Sequence, residues 1–458
     1  MRAAVALAVS FVLALAGYIY LGYAVDRANF TLFLSVCSVL FGLYFLALRY
    51  RDSFNLRHLI LAGILFRLVF LFSEPRLSDD YFRFLWDGSL TLAGENPYLI
   101  HPETLYNSGD VEVFGLNGRM YEGMNSKGYY TVYPPVNQAF FAAAVYVGAG
   151  DFDRSLLALH VLLLIFELVL LLAITRLLAR WGKPAWWILI YALNPLVILE
   201  LTGNVHFEGV VLAFLALAAL VLIDQGRVST SFLRLILAGV AFGLAVSVKL
   251  TPLLILPLLV FALGNWRSMW VVGCSAGATV FLTFLPFVSQ ALLAHFQESV
   301  ALYFTSFEFN ASVYYLLRAL GDALVGYNLI ARIGPILGVA TFGIVIAIAI
   351  AVAIRRRRKT LTAEHFVDAM ILSYVVYYLL ATTVHPWYIT TLVGLMVFAS
   401  RKQLVIWSFL VILSYSHYSG GKFQEHLFII ALEYVLLSVA LWLQFRKKFL
   451  TMSQPQNG

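Results

Sequence analysis

The chain has 458 residues, of which 62% are hydrophobic and 12% charged, and its mean hydropathy is +0.86. A soluble globular chain carries about 25% charged residues, so a soluble protein is excluded and a polytopic membrane protein is implied. The formal charge of +7 does not point to nucleic acid, because Lys and Arg fall in short loops between apolar runs, as they do in cytoplasmic loops.

Residues 1–24 begin with Arg2 and an Ala-rich run, but the apolar stretch is too long for a signal-peptide core and a second follows at once. It reads as an uncleaved helix. Spans of about 20 apolar residues are expected near 3–24, 29–48, 57–73, 156–178, 185–201, 208–223, 233–250, 252–263, 268–288, 328–354, 365–382, 388–400, 404–417 and 427–445. The fold class is therefore an all-α bundle of about 13 to 14 transmembrane helices, one integral membrane domain over 1–458. Cys37 and Cys274 both lie inside apolar runs and read as packing residues.

The basic clusters orient the spans. Arg49, Arg51 and Arg57, then Arg176, Arg180 and Lys183, Arg227 and Arg234, Arg267, Arg355 to Lys359, Arg401 and Lys402, and Arg446 to Lys448 should all be cytoplasmic. Alternation then puts both termini inside, provided residues 136–149 do not cross. That segment follows Tyr133-Pro134-Pro135 and is marginally short for a span, so a re-entrant or interfacial helix on the outer face is expected. Four segments then share the extracytoplasmic side: 74–135, the Gly203–Gly209 turn, the aromatic-rich 289–327, and His385-Pro386-Trp387-Tyr388.

The first of these holds Ser78-Asp79-Asp80-Tyr81-Phe82-Arg83-Phe84-Leu85-Trp86-Asp87-Gly88. If Ser78 caps a short helix, Asp80, Arg83 and Asp87 recur at i, i+3 and i+7 and share one face. A structural alternative is that the acids complement the helix dipole while Arg83 and Asp87 pair on the surface. The turn offers Glu200, Asn204, His206 and Glu208 around Gly203 and Gly209, either as a site or as a capped turn with solvated side chains. Hard divalent cations such as Mg or Mn take oxygen ligands, so Asp79 or Asp80 with Glu208 is a candidate metal pair, Asp79 and Glu208 being preferred. Lys249, before Thr251-Pro252, suits an anionic head group or simple snorkelling. Arg67 and Glu167, deep in their spans, suit a structural pair with each other. Arg318 is a further candidate for phosphate or sugar, and His385-Pro386-Trp387-Tyr388 suits either sugar stacking or an interfacial aromatic belt.

Taken in order, Asp79-Asp80, Trp86-Asp87-Gly88, Asn96-Pro97-Tyr98, Tyr133-Pro134-Pro135, Asn194-Pro195-Leu196 to Glu208, Lys249-Leu250-Thr251-Pro252 and His385-Pro386-Trp387-Tyr388 resemble bacterial members of the GT-C glycosyltransferase superfamily. The likeness is to polyprenyl-phosphate-mannose-dependent mannosyltransferases and the mannosyltransferase of glycolipid-anchor synthesis, over about 56–400. One departure is that the glycolipid-anchor enzymes carry Asp-x-Asp, whereas Ser78 precedes adjacent acids here.

The resemblance implies a hexosyltransferase, with mannose as the sugar, in the inner membrane of a bacterial cell envelope. A polyprenyl-phosphate sugar would donate to a lipid or glycan acceptor on the outer face, with inversion. Such transfer needs a base for the acceptor hydroxyl and positive charge at the leaving phosphate. Asp80 is expected as base, Asp79 and Glu208 as metal or acceptor ligands, and Arg83, Lys249 and Arg318 as phosphate partners. Asp87, Asn204 and His206 complete the substrate site, with His385 and Trp387 contacting sugar or lipid phosphate. Two other classes fit the helices. A lipid or sugar transporter or flippase would show paired repeats, which are lacking here, and carboxylates at the midplane, whereas these concentrate in a long outer loop; a non-catalytic envelope scaffold leaves the polar cluster unexplained.

Overall fold

The computed structural model describes residues 2–109, 114–224, 227–228, 231–400 and 402–452; Arg401 and the side chains of Arg227 and of Arg446 to Lys448, expected on the cytoplasmic side, lie outside the described residues. Regular structure among the described residues is helical apart from one short antiparallel pairing of Ile223–Asp224 with Arg227–Val228 and a single bridge between Phe309 and Thr383.

In chain order, α1 (Arg2–Tyr23), α2 (Phe30–Arg49) and α3 (Leu56–Leu68) precede the polar segment, which carries α4 (Asp80–Leu92), α5 (Pro102–Ser108) and α6 (Gly118–Gly123). Then come α7 (Pro135–Val147), α8 (Phe152–Arg180), α9 (Leu189–Ala192), α10 (Pro195–Val197), α11 (Glu208–Leu222), α12 (Phe232–Val248), α13 (Leu256–Leu263) and α14 (Trp266–Phe284). The second half holds α15 (Leu292–Thr305), α16 (Val313–Val325), α17 (Ile330–Arg357), α18 (Ala363–Leu380), α19 (Tyr388–Met396), α20 (Trp407–Leu410) and α21 (Leu427–Met452).

Five helices among the described residues are long and apolar enough to cross a membrane: Phe30–Arg49, Phe152–Arg180, Trp266–Phe287, Ile330–Arg357 and Ala363–Leu380. Of the other expected spans, Ala8–Tyr23, Glu208–Leu222, Phe232–Val248, Thr251–Leu263 and Leu427–Leu443 are apolar stretches of 10–17 residues among the described residues, and others are broken. Ala185–Ala192 and Pro195–Gly203 together make one span bent by 52°, and the 404–417 stretch is short 3-10 and α pieces. Exposed Ile336, Val339 and Phe342 on α17 form the apolar surface that lipid requires. The protein is an all-α polytopic membrane protein. The 13 residues of α7 rise about 20 Å, less than the roughly 30 Å hydrocarbon layer.

The break in the bent span follows from Asn194-Pro195. Pro195 has no N–H, and the Asn194 side chain caps α10 by accepting from the N–H groups of Leu196 (3.0 Å) and Val197 (3.3 Å). The Ala192 carbonyl thereby loses its helical donor. Arg67 replaces it: one Nη donates to Ala192 O (2.7 Å) and Gly63 O (2.9 Å), while Nε donates to Glu167 (2.9 Å). The pair expected between Arg67 and Glu167 is thus present, and it is buried. Tyr191 donates to the other Glu167 oxygen (2.6 Å). Gly63 is required here, since a Cβ would lie 2.4 Å from Ala192 O.

Removing one partner of a buried ion pair costs about 3–5 kcal/mol, whereas replacing both by apolar residues costs less. Arg67→Leu should therefore lower the thermal unfolding temperature of the detergent-purified protein strongly, and Arg67→Leu with Glu167→Leu should recover part of the loss. Equal stability of the single variant and the wild type would contradict this role.

Candidate active site

The helix start at α4 differs in one position from the expectation. Asp79, not Ser78, occupies the cap position, and its carboxylate makes no capping bond; Ser78 Oγ instead accepts from the Asp80 N–H (3.3 Å). The Asp79 carboxylate turns outward to Arg27, whose two Nη atoms lie 3.2–3.3 Å from its oxygens. The Leu77 N–H donates to Asn204 Oδ1 (3.4 Å), which ties the approach to α4 to the turn preceding α11.

Asp80 lies half-buried at the start of α4, with no cation bonded to it directly among the described residues. Burial pushes its carboxyl up to about 6, against the opposing pull of Lys249 and of a Tyr133 hydrogen bond; Asp79 and Glu208 add to the rise. Tyr303 and Tyr388 also face this carboxylate.

Glu208 and Lys249 form an ion pair across the cleft, Lys249 Nζ donating to Glu208 Oε1. Lys249 is placed by the end of α12, where it is already extended and its N–H makes the last helical bond, to Ala245 O (3.1 Å). Glu208 opens α11 and is placed by Phe207, which is buried against Phe84 and Phe141 at 5.5–5.7 Å, edge to face. Gly209 permits the approach of α8, since a Cβ there would lie 2.3 Å from Glu167 Oε1. The other Glu208 oxygen is buried without a hydrogen-bond partner in the protein.

Behind this pair, Glu200 accepts from Tyr415 (2.5 Å) and from Asn204 Nδ2 (3.0 Å), and His206 Nε2 lies 3.7 Å from it. The residues of the turn are buried, so the solvated alternative does not hold. Val205 adopts φ +53°, a strained value for a β-branched residue. His206 stacks on Trp387 (3.8 Å between ring centroids), and Trp387 stacks on His385 (4.3 Å). The structure therefore joins the 200–208 turn to the 385–388 segment.

Other expected site residues are engaged elsewhere. Arg83 and Asp87 are buried and paired at 2.7 Å, so the pairing is correct but its surface location is not. Arg83 also donates to the carbonyls of Ser126 and Tyr129, both at 3.0 Å. Gln138 donates to Asp87 (3.3 Å) and to Tyr133 O (3.3 Å). This network holds Tyr133 toward Asp80, so Arg83 and Asp87 sit in the support of the cleft, not open within it. Arg318 is gripped by Glu308 and Glu425, and that carboxylate pair leaves its guanidinium poorly placed for phosphate.

A divalent cation at Asp79 and Glu208 does not fit this donor set. Each carboxylate already holds a protein cation, and no group of three His, Cys, Asp or Glu side chains suited to a metal occurs among the described residues. Sequence reasoning passed over Arg27 and the Tyr133 hydroxyl as site groups. Arg27 lies in the loop between α1 and α2, where an arginine beside Asp26 looks like any solvated pair. Tyr133 carried a signal in the Tyr-Pro-Pro run, since the prolines fix its backbone direction.

A family model described as "Alpha-(1->6)-mannopyranosyltransferase, N-terminal domain", of the MptA_B family, matches residues 2–265. No curated protein and no solved structure matches the chain. The matched part includes Arg27, Asp79, Asp80, Tyr133, Glu200, Glu208 and Lys249, and ends before Arg318, His385 and Trp387. With more than half of its length matched, on a helical membrane fold, the chain belongs to the alpha-(1→6)-mannopyranosyltransferase family and is a membrane glycosyltransferase of the mannosyltransferase kind.

Proposed function

We propose that the protein transfers mannose from a polyprenyl-phosphate sugar to a hydroxyl of a lipid or glycan acceptor, on the extracytoplasmic face of a bacterial inner membrane, with inversion. An α-(1→6) product formed with inversion requires a β-linked donor and a primary hydroxyl as acceptor. The observation that carries this reading is Asp80, a carboxylate without its own counter-ion, facing the Lys249–Glu208 pair. One group accepts a proton while another offers positive charge a short distance away, as a single inverting displacement needs.

In the step itself, Asp80 takes the proton of the acceptor hydroxyl as its oxygen bonds to the anomeric carbon. The bond from that carbon to the phosphate oxygen breaks, and its electron pair leaves with the phosphate. Lys249 exchanges Glu208 for the phosphate, and the freed Glu208 accepts hydrogen bonds from the acceptor. His206, His385 and Trp387 line the sugar side, with Asn204 holding the turn. No step passes through a divalent cation, because Asp79 and Glu208 already bind Arg27 and Lys249. A lipid-borne sugar suits this chain because it carries no glycine-rich nucleotide-binding unit, and a prenyl tail can lie between helices while its phosphate meets Lys249.

Purified protein in liposomes should transfer label from polyprenyl-phosphate mannose and not from GDP-mannose; efficient lipid-independent use of GDP-mannose would overturn the donor reading. Asp80→Asn should lower turnover by about 10²- to 10⁴-fold while the protein still inserts. Because burial raises the Asp80 carboxyl to about 6, the base is ionised above that pH and protonated below it. Wild-type kcat/KM should accordingly fall as pH drops through about 6, and a kcat/KM independent of pH between about 5 and 7 would count against Asp80.

Lys249→Met should raise the donor KM and leave Glu208 with an uncompensated buried charge. Adding Glu208→Gln should cost less than the two separate losses multiplied together, whereas fully multiplying losses would mean that the two residues act apart. The side of the membrane is open to labelling. A cysteine placed at exposed Ser108, with exposed Cys274 changed to serine, should react with an impermeant thiol reagent in cells whose inner membrane is intact; reaction only after that membrane is broken would reverse the topology.

A further inference from the structure

Adjacent acids at a catalytic position raise the question of how two negative charges coexist beside a phosphate. Asp79 and Asp80 differ in what they touch. Asp79 is forked by Arg27, with Nη1 at 3.3 and 3.2 Å from its two oxygens and Nη2 at 3.2 Å; Asp80 accepts from the neutral Tyr133 hydroxyl. Planar guanidinium matches a carboxylate in this way, whereas a lysine offers a point charge.

Arg27 is held for this contact from both sides. The carbonyl of Ala28 accepts from the Gly420 N–H (3.0 Å), and the Ala28 N–H donates to Asp26 Oδ1 (2.8 Å). The guanidinium carbon lies 5.1 Å from the Tyr418 ring centroid. The loop between α1 and α2 is thereby pinned to the 411–421 segment while its arginine reaches the start of α4. The pair is about one-third exposed, 35% for Arg27 and 31% for Asp79, so it is screened and adds little to stability. Its consequence is for the charge of the cleft.

We propose, on the reading that Asp80 is the base, that Arg27 is a positioning residue that neutralises Asp79 at the place expected for a divalent cation, leaving Asp80 as the single carboxylate available for proton transfer. The charged and titratable groups facing Asp80 are then Lys249 and Glu208 from across the cleft and Asp79 from its own segment. The tyrosines 133, 303, 388 and 418 complete the surroundings. Without Arg27, Asp79 would add a bare negative charge beside Asp80.

The test is a double-mutant cycle on the full-length protein with polyprenyl-phosphate mannose as the probe. Arg27→Ala should lower kcat by about tenfold or more, and Arg27→Lys, which keeps the charge but loses the fork, should recover only part of that loss. In an Asp79→Asn background, where no charge needs neutralising, Arg27→Ala should cost less than about twofold. An equal loss in both backgrounds, or no loss in Arg27→Ala, overturns the proposal. A second measurement does not depend on the donor: modification of Asp79 by a water-soluble carbodiimide, read by mass spectrometry, should rise several-fold in Arg27→Ala and not in Arg27→Lys. Unchanged labelling also overturns it. Full turnover in Asp80→Asn would instead remove the base assignment while leaving the Arg27–Asp79 contact supported by its labelling.

Discussion

Two carbonyls stranded by a proline, those of Ile190 and Ala192, organise this protein. In hydrocarbon every backbone polar group needs a partner inside the protein, and Asn194-Pro195 strands the carbonyls of the preceding turn. Tyr44 donates to Ile190 O (2.9 Å) and Arg67 to Ala192 O (2.7 Å). Placing an arginine there demands a carboxylate, and Glu167 supplies it from α8. Close approach demands glycine at 63 and again at 209, where the same Glu167 oxygen fills the space of a side chain. The bend, the ion pair and the two glycines are one solution to one desolvation problem. Its product is a turn of chain ending at Glu208, beside the start of α4.

The cleft is then a matter of which charges are already spoken for. Asp79, Asp87, Glu167 and Glu208 each carry a basic partner, and Glu200 is held by Tyr415 and Asn204. Asp80 has a tyrosine hydroxyl and a more distant ammonium. Asp87 and Glu167, fully buried with their partners, build structure, because displacing the partner is costly. A carboxylate without one is left for proton transfer. The packing of α4 against α7 keeps this arrangement rigid: Gly88 lies directly on the Phe141 backbone, 2.6 Å from where a Cβ would be, and Phe84 stacks on Phe141 at 4.6 Å.

Much of the site was legible in the chain. Polar residues inside lipid-soluble sequence are expensive and stand out, so Asp79, Asp80, Asn204, His206, Glu208 and Lys249 were singled out as candidates, and the pairing of Arg67 with Glu167 was anticipated and is present. The role of Arg83 was not legible. Its spacing to Asp87 signalled a pair, but burial against the carbonyls of Ser126 and Tyr129 depends on a segment some forty residues away. Arg318 was misleading for the same reason, since Glu308 and Glu425 approach it from separate segments. Arg27 gave no signal, because nothing local distinguishes a loop arginine that meets Asp79 from one that meets water.

The sequence by itself determined the class, since no soluble core accommodates this composition. It also determined the helical architecture, because helices satisfy their own backbone in lipid, and the residues rich enough in charge to demand a reason. Tertiary structure decided which of those residues pair. It broke the 185–203 span, turned a surface ion pair into the buried support of Tyr133, joined Trp387 to His206, and gave Asp79 a guanidinium partner from a distant loop. Apolar runs and periodicity are properties of neighbouring residues, whereas the partner of a buried charge is chosen by contacts between helices far apart in the chain, and only the folded packing specifies those.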